Sequence, residues 1–142
     1  MAEEPTTPDL DTLVRRGFEA ISRGDLDTGL QGFAPDAVVD MARTIGVVAQ
    51  GLEAFRVFEE DWLVGYEEFV QQAEEIVDAG NGVGFVKYLQ TARPRGTTSY
   101  VTQREAMVAV MENGLVVRMI IYPQSEIDEA RAAAECLAQE RG

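Results

Sequence analysis

The 142-residue sequence contains no histidine. That absence removes the usual near-neutral proton carrier, every Ser-His or Cys-His nucleophile arrangement and the commonest zinc sites. Cysteine occurs once, at Cys136, which excludes an internal disulfide and points to a reducing, cytoplasmic setting. Basic residues are scarce: 12 Lys and Arg against 25 Asp and Glu leave a formal charge of -13. Such a chain has no basic patch with which to release counterions from phosphates, so nucleic acid is not an expected partner. An anionic membrane surface is disfavoured by the same sign. No uncharged apolar run approaches spanning length, and the opening "MAEEPTTPDL" has neither the basic n-region nor the apolar h-region of a signal peptide. Phosphate loops, dinucleotide fingerprints and acidic clusters with metal spacing are missing too, so neither cofactor nor metal is expected.

What is present builds one domain. Hydrophobic residues make up 46% of the chain, enough for a single core. The expected organisation is one domain over residues 7–138, with tails at 1–6 and 139–142. Thr7 followed by Pro8, with Asp9 and Asp11 in the first turn, starts a helix. Leu10, Leu13, Val14, Gly17, Phe18 and Ile21 share its apolar stripe, and Gly24 ends it. Asp25 caps a second short helix, "DLDTGLQGF", and Pro35 with Asp36 turns the chain into a first strand. "GVVAQ" reads as a return strand, and Leu52, Phe55, Phe58, Trp62 and Tyr66 mark a longer third helix. The run "EEDW" within it, like the pair Glu74 and Glu75, reads as a solvated face.

From Phe69 the pattern changes to long strands: "FVQQAEEIVDAG", "GVGFVKYLQTARP", "TSYVTQREAMVAVM" and "GLVVRMIIYP". "DAGNG" and "ENG" supply hairpin turns, because Asn and Gly accept positive φ. A last helix begins at Ser125, with Asp128 completing a capping box and Ile127, Ala130, Ala134 and Leu137 as its stripe; Cys136 falls on the other face. Helices gathered on one side of a curved antiparallel sheet make an α+β domain. Curled around the third helix, that sheet encloses a conical hollow with one open end, the natural place for a small ligand.

The order of elements, with "ISRGDLDTGLQGFAPDAVVDM", "GLEAFRVFEEDW" and "NGLVVRMIIY", resembles the nuclear transport factor two-like superfamily. Within it the resemblance is to the SnoaL-like branch, which includes polyketide cyclases and is related to ketosteroid isomerases. It covers residues 8 to 135. It implies an α+β cone, a curved antiparallel sheet wrapped around a long helix, with N-terminal helices and a C-terminal helix. The catalytic residues of the better-known branches do not carry over. Ungapped matching puts the isomerase base at Met41, its tyrosine near Gly17 and its acidic oxyanion donor near Ala106. The positions matching limonene-type epoxide hydrolases hold Lys87, Leu89 and Ile120, and scytalone-type dehydratases rely on histidines that this chain lacks.

The same matching implies a pocket lined by Val86, Tyr88, Gln90 and Ala92 on one strand and by Tyr100, Thr102, Arg104, Ala106 and Val108 on the next. Val117, Met119 and Ile121 follow on the last strand, with Trp62 and Tyr66 over the opening. Such a lining suits a flat hydrophobic molecule. The candidate catalytic groups are Asp40, Arg104 and Glu105. An arginine turned into a hollow must find a carboxylate, and Asp40 and Glu105 are the candidates. Either Asp40, held by Arg104 or Arg43, orients substrate or moves a proton, or it belongs to a structural salt bridge or is a rim charge in water. "TARPRGTTS", with Arg93 and Arg95, reads as an exposed hairpin end. Three readings stand side by side: a cofactor-free isomerase or cyclase acting by proton transfer on a carbonyl compound, a binding protein for an apolar ligand, and a homodimeric interaction module. The last is motivated by Val101, Met107 and Met111 on the outer sheet face.

Overall fold

The structure, a computed structural model, describes residues 9–142. Thr7 and Pro8, the expected start of the first helix, lie outside those residues, as does the expected tail at 1–6. Helix α1 spans Leu10–Ser22, and Asp9 is its N-cap, accepting a 2.8 Å hydrogen bond from the Thr12 backbone N–H. Gly24, at φ +78°, turns the chain out of the helix. Asp25 caps the single-turn helix α2, Leu26–Gly29, through the Thr28 N–H.

Strand β1 (Phe33–Met41) begins earlier than the turn residues suggest, running through Pro35 and Asp36. It pairs with β2 (Val47–Gln50), after which α3 spans Leu52–Val64. Four strands follow: β3 (Tyr66–Gly80), β4 (Val83–Pro94), β5 (Val101–Glu112) and β6 (Leu115–Pro123). The hairpins β3–β4 and β5–β6 turn on Asn81–Gly82 and Asn113–Gly114, where all four residues have positive φ, the signature of a type I′ turn. The six strands form one sheet in the order β2-β1-β6-β5-β4-β3. It is antiparallel except where β1 lies parallel beside β6.

One 3-10 turn, Gln124–Glu126, leads into α4 (Ile127–Arg141). The expected capping box of Ser125 and Asp128 does not form: Ser125 is taken into the 3-10 turn, and no side chain caps α4. The helix continues through residues 139–141, where a tail was expected, and Arg141 donates to the Asn81 carbonyl at 2.9 Å.

The two larger cores lie on opposite faces of the sheet. On the inner face, Val39, Met41, Phe55, Val86, Tyr88, Met107 and Met119 pack together beneath α1 and α3. On the outer face, Ala130, Ala134 and Ala138 of α4 sit on Phe85, Ala106, Val108, Ile120 and Tyr122. Small side chains on the helix let its backbone approach the sheet closely. Both faces of the central strands are therefore dry. Among the described residues, no helix is long and apolar enough to cross a membrane.

Candidate functional site

The inner sheet face is ordered in rungs that run across β3, β4 and β5. Strand pairing aligns Phe69, Ala92 and Val101; then Gln71, Gln90 and Gln103; then Ala73, Tyr88 and Glu105. Because side chains alternate along a strand, these residues point to one side. Apolar, amide and acidic rungs thus succeed one another beneath α1 and α3.

Between the rungs and the helices lies a cavity of about 360 Å³, inside the range of roughly 300–1,000 Å³ that small-molecule sites occupy. Its wall is mainly apolar, with Phe18, Phe55, Phe58, Met107 and Met119 among the lining side chains. Its acidic groups are Glu59 and Glu105. Arg16 is the one basic side chain in the lining among the described residues, and it is exposed.

Glu105 is the one charged residue of the buried core among the described residues, 8% exposed. Its Oε1 accepts from the Tyr88 hydroxyl at 2.9 Å and from Gln90 Nε2 at 3.2 Å, whereas Oε2 has only Gln103 Nε2 at 3.5 Å. Gln90 is held in turn by a 2.8 Å bond from Gln71 Nε2 to its Oε1. Burial pushes the Glu105 carboxyl up, and the Tyr88 hydrogen bond opposes that shift in part. Burial also raises the Tyr88 phenol well above its ordinary value, with further contributions from the charges of Glu105 and Glu59. Tyr88 therefore stays protonated, and its ring is packed 5.2 Å from that of Phe18.

Glu59 stands on the cavity face of α3. It makes no hydrogen bond or ion pair among the described residues, and burial alone pushes its carboxyl up to about 7. The expectation that "EEDW" is a solvated face fails at this residue. A signal was available: Glu59 falls four residues after Phe55 and three before Trp62, on the stripe that faces the core.

The expected site residues divide sharply. Val86, Tyr88, Gln90, Met119, Ile121 and Trp62 line the cavity, as does Glu105. Tyr66 and Ala92 face a smaller adjoining chamber. Asp40 does not face the hollow: its neighbours Val39 and Met41 point to the inner core, and its Oδ1 accepts from the Ala42 N–H at 3.0 Å. Arg104 also points outward, donating to both Glu74 oxygens at 2.8 and 3.2 Å, and Ala106 lies under α4. Neither Arg104 nor Arg43 holds Asp40; Arg43 pairs with Glu126 and lies over the Tyr122 ring. Tyr100 is exposed and donates to Glu68 at 2.9 Å.

The corrections on β5 have one cause: its inward set is Gln103, Glu105, Met107, Ala109 and Met111 rather than Arg104, Ala106 and Val108. With α4 on the outside, residues 105–110 are all buried, so no polar alternation marks which side is which. Met107 and Met111 therefore belong to the cavity wall, and α4 occupies the outer face from which a dimer surface was expected. On β6, a register shift beside Met111 puts Val116, not Val117, in the lining. Among the described residues, no group of three His, Cys, Asp or Glu could hold a metal ion.

The family model described as the SnoaL-like domain matches residues 14–119. A nuclear transport factor two-like protein from Burkholderia pseudomallei superposes with a TM-score of 0.69 at 20% identity, over 84% of this chain and 95% of its own. A candidate polyketide cyclase from Xanthomonas campestris gives 0.63 at 20% identity, covering 85% and 93%. IdmH, a candidate polyketide cyclase from Streptomyces antibioticus, gives 0.68 at 16% identity, covering 87% and 97%. At these identities the likeness is one of fold. A search among curated proteins finds no significant match.

Proposed function

Since the chain belongs to the SnoaL-like domain family, we propose that it binds an uncharged hydrophobic carbonyl compound in its cavity and moves a proton beside the carbonyl, as a cofactor-free isomerase or cyclase does. The observation that carries this reading is the pair of acids in one largely apolar cavity, held in unlike surroundings. Glu59 has no partner among the described residues, whereas Glu105 is embedded in donors.

Unlike surroundings assign unlike roles. Glu59, poised at about 7, is the base: ionised, it takes a proton from the carbon next to the carbonyl. The electron pair of that C–H bond passes to the carbonyl oxygen, which becomes an enolate. Glu105 has the unlike role: its Oε2 accepts from Gln103 Nε2 and so orients that amide, whose second N–H donates a hydrogen bond to the enolate. Tyr88 and Gln90 fix the carboxyl through Oε1. Glu59 then returns its proton to another carbon of the conjugated system, or the enolate carbon attacks a second carbonyl, closing a ring, and the resulting alkoxide takes up the proton that Glu59 carries. The acidic lining disfavours an anionic substrate, because burying like charges together is costly.

The test is α-proton exchange. Substituted cyclohexenones and 1,3-diketones incubated with the protein in D2O should exchange the proton beside the carbonyl, followed by NMR. Glu59→Gln should slow that exchange at least about a hundredfold, the usual scale of general-base catalysis. Equal exchange in both proteins would remove Glu59 from the role of base.

A further inference from the structure

We propose that the chamber beyond the glutamine rung is a second subsite, which takes the short branched alkyl or alkenyl end of an elongated ligand, with Trp62 setting the ligand's length. The inference rests on the carbonyl compound proposed above occupying the main cavity.

The chamber measures about 90 Å³ and lies against the same inner sheet face. It shares Trp62, Phe69, Gln90 and Gln103 with the main cavity, so the two spaces adjoin across the amide rung. The space exists because β4 presents only a methyl group there, at Ala92, between Phe69 and Val101 on the flanking strands. Trp62, Tyr66 and Phe69 give it aromatic walls, with Pro94 and the amides of Gln90 and Gln103 beside them. Tyr66 lies 5.7 Å from Trp62 and 5.7 Å from Phe69, and Phe58, on the main-cavity side, stacks on Trp62 at 5.9 Å with 22° between planes. Val101 lines the chamber yet is 55% exposed, which makes it an apolar residue at the outlet.

No side chain in this lining is charged, so the occupant is neutral. An apolar engineered cavity of about 150 Å³ accepts benzene. The smaller chamber therefore suits a group smaller than a ring, such as an isopropyl or isobutenyl end. A ligand reaching from Glu105 to the chamber passes the glutamine rung, where Gln90 and Gln103 are already turned to Glu105, and slides along the face of Trp62.

The test uses 2-cyclohexenones carrying alkyl chains of zero to six carbons, with affinity measured by calorimetry. For the wild-type protein, affinity should rise about fourfold for each methylene that enters the chamber, following the usual transfer free energy, and then level off. Ala92→Leu fills the chamber from within, and Val101→Phe, at an exposed position, narrows it from the outlet. Each should leave the unsubstituted ring's affinity within about twofold and remove the gain from the longer chains. Equal gains in both variants, or wild-type binding that ignores chain length, would overturn the subsite while leaving the main cavity's role standing. Failure of every probe to bind would overturn both.

Discussion

Tyr88 and Glu105 face each other across the β4–β5 pairing, and the phenol donates a 2.9 Å hydrogen bond to the carboxylate in the dry inner core. The bond favours the ionised carboxylate, so it pulls down a carboxyl that burial pushes up. Tyr88→Phe removes the opposing influence. Glu105 should then hold its proton to higher pH, and its carboxyl resonance should titrate at higher pH than in wild type. A midpoint that does not move in the variant would show that the Tyr88 hydrogen bond does not act on the carboxylate. The same substitution leaves Oε1 with Gln90 alone, a loss on the order of 1–3 kcal/mol for a buried acceptor, readable by denaturant unfolding.

Glu59 links folding to pH in the opposite sense from an ion-paired acid. Its folded value, about 7, lies above the ordinary 4.5 of a glutamate. Between those values the folded protein binds more protons than the unfolded chain, so its stability falls as pH rises through that window. Below it both states are protonated and nothing is lost. Glu59→Gln does not titrate and should therefore match wild type near pH 4 but exceed it at pH 8. The gain should be on the order of 2–3 kcal/mol, from about 1.36 kcal/mol per pKa unit with a discount for partial exposure. Thermal melts at the two pH values measure it. A variant no more stable at pH 8 than wild type would show that the carboxylate is not held in a desolvated place.

Asp40 and Arg104 lie outside the cavity and serve as the negative comparison. Asp40→Asn and Arg104→Gln should leave α-proton exchange unchanged. Arg104→Gln should also leave the melting temperature close to wild type, since its pair with Glu74 is at the surface. Loss of exchange in either variant would require the strand faces to be reassigned.

Element order, turns and fold class were legible in the sequence because each rests on local chemistry. Asn-Gly at 81–82 and 113–114 specifies its hairpin turns, and Asp25 specifies its cap. The parallel seating of β1 beside β6 depends on chain segments about 80 residues apart, and no local pattern announces it. The face of β5 was illegible for a different reason: α4 dries the outer side, so Ala106 and Glu105 are buried alike. Glu59 was hidden by its neighbours. Glu60 and Asp61 make a continuous acidic run, in which only the three- and four-residue spacing to Phe55 and Trp62 distinguishes the inward carboxylate.

The central claim is that a carboxylate of α3 sits desolvated against the cavity with its proton poised near neutrality. The direct measurement is a carbon-13 NMR titration of the glutamate carboxyls from pH 3 to 9, on wild type and on Glu59→Gln. The account predicts one resonance with a midpoint near 7, missing from the variant and displaced when a cyclohexenone is added. A Glu59 resonance that titrates in the ordinary range near 4.5, indifferent to the ketone, would contradict it.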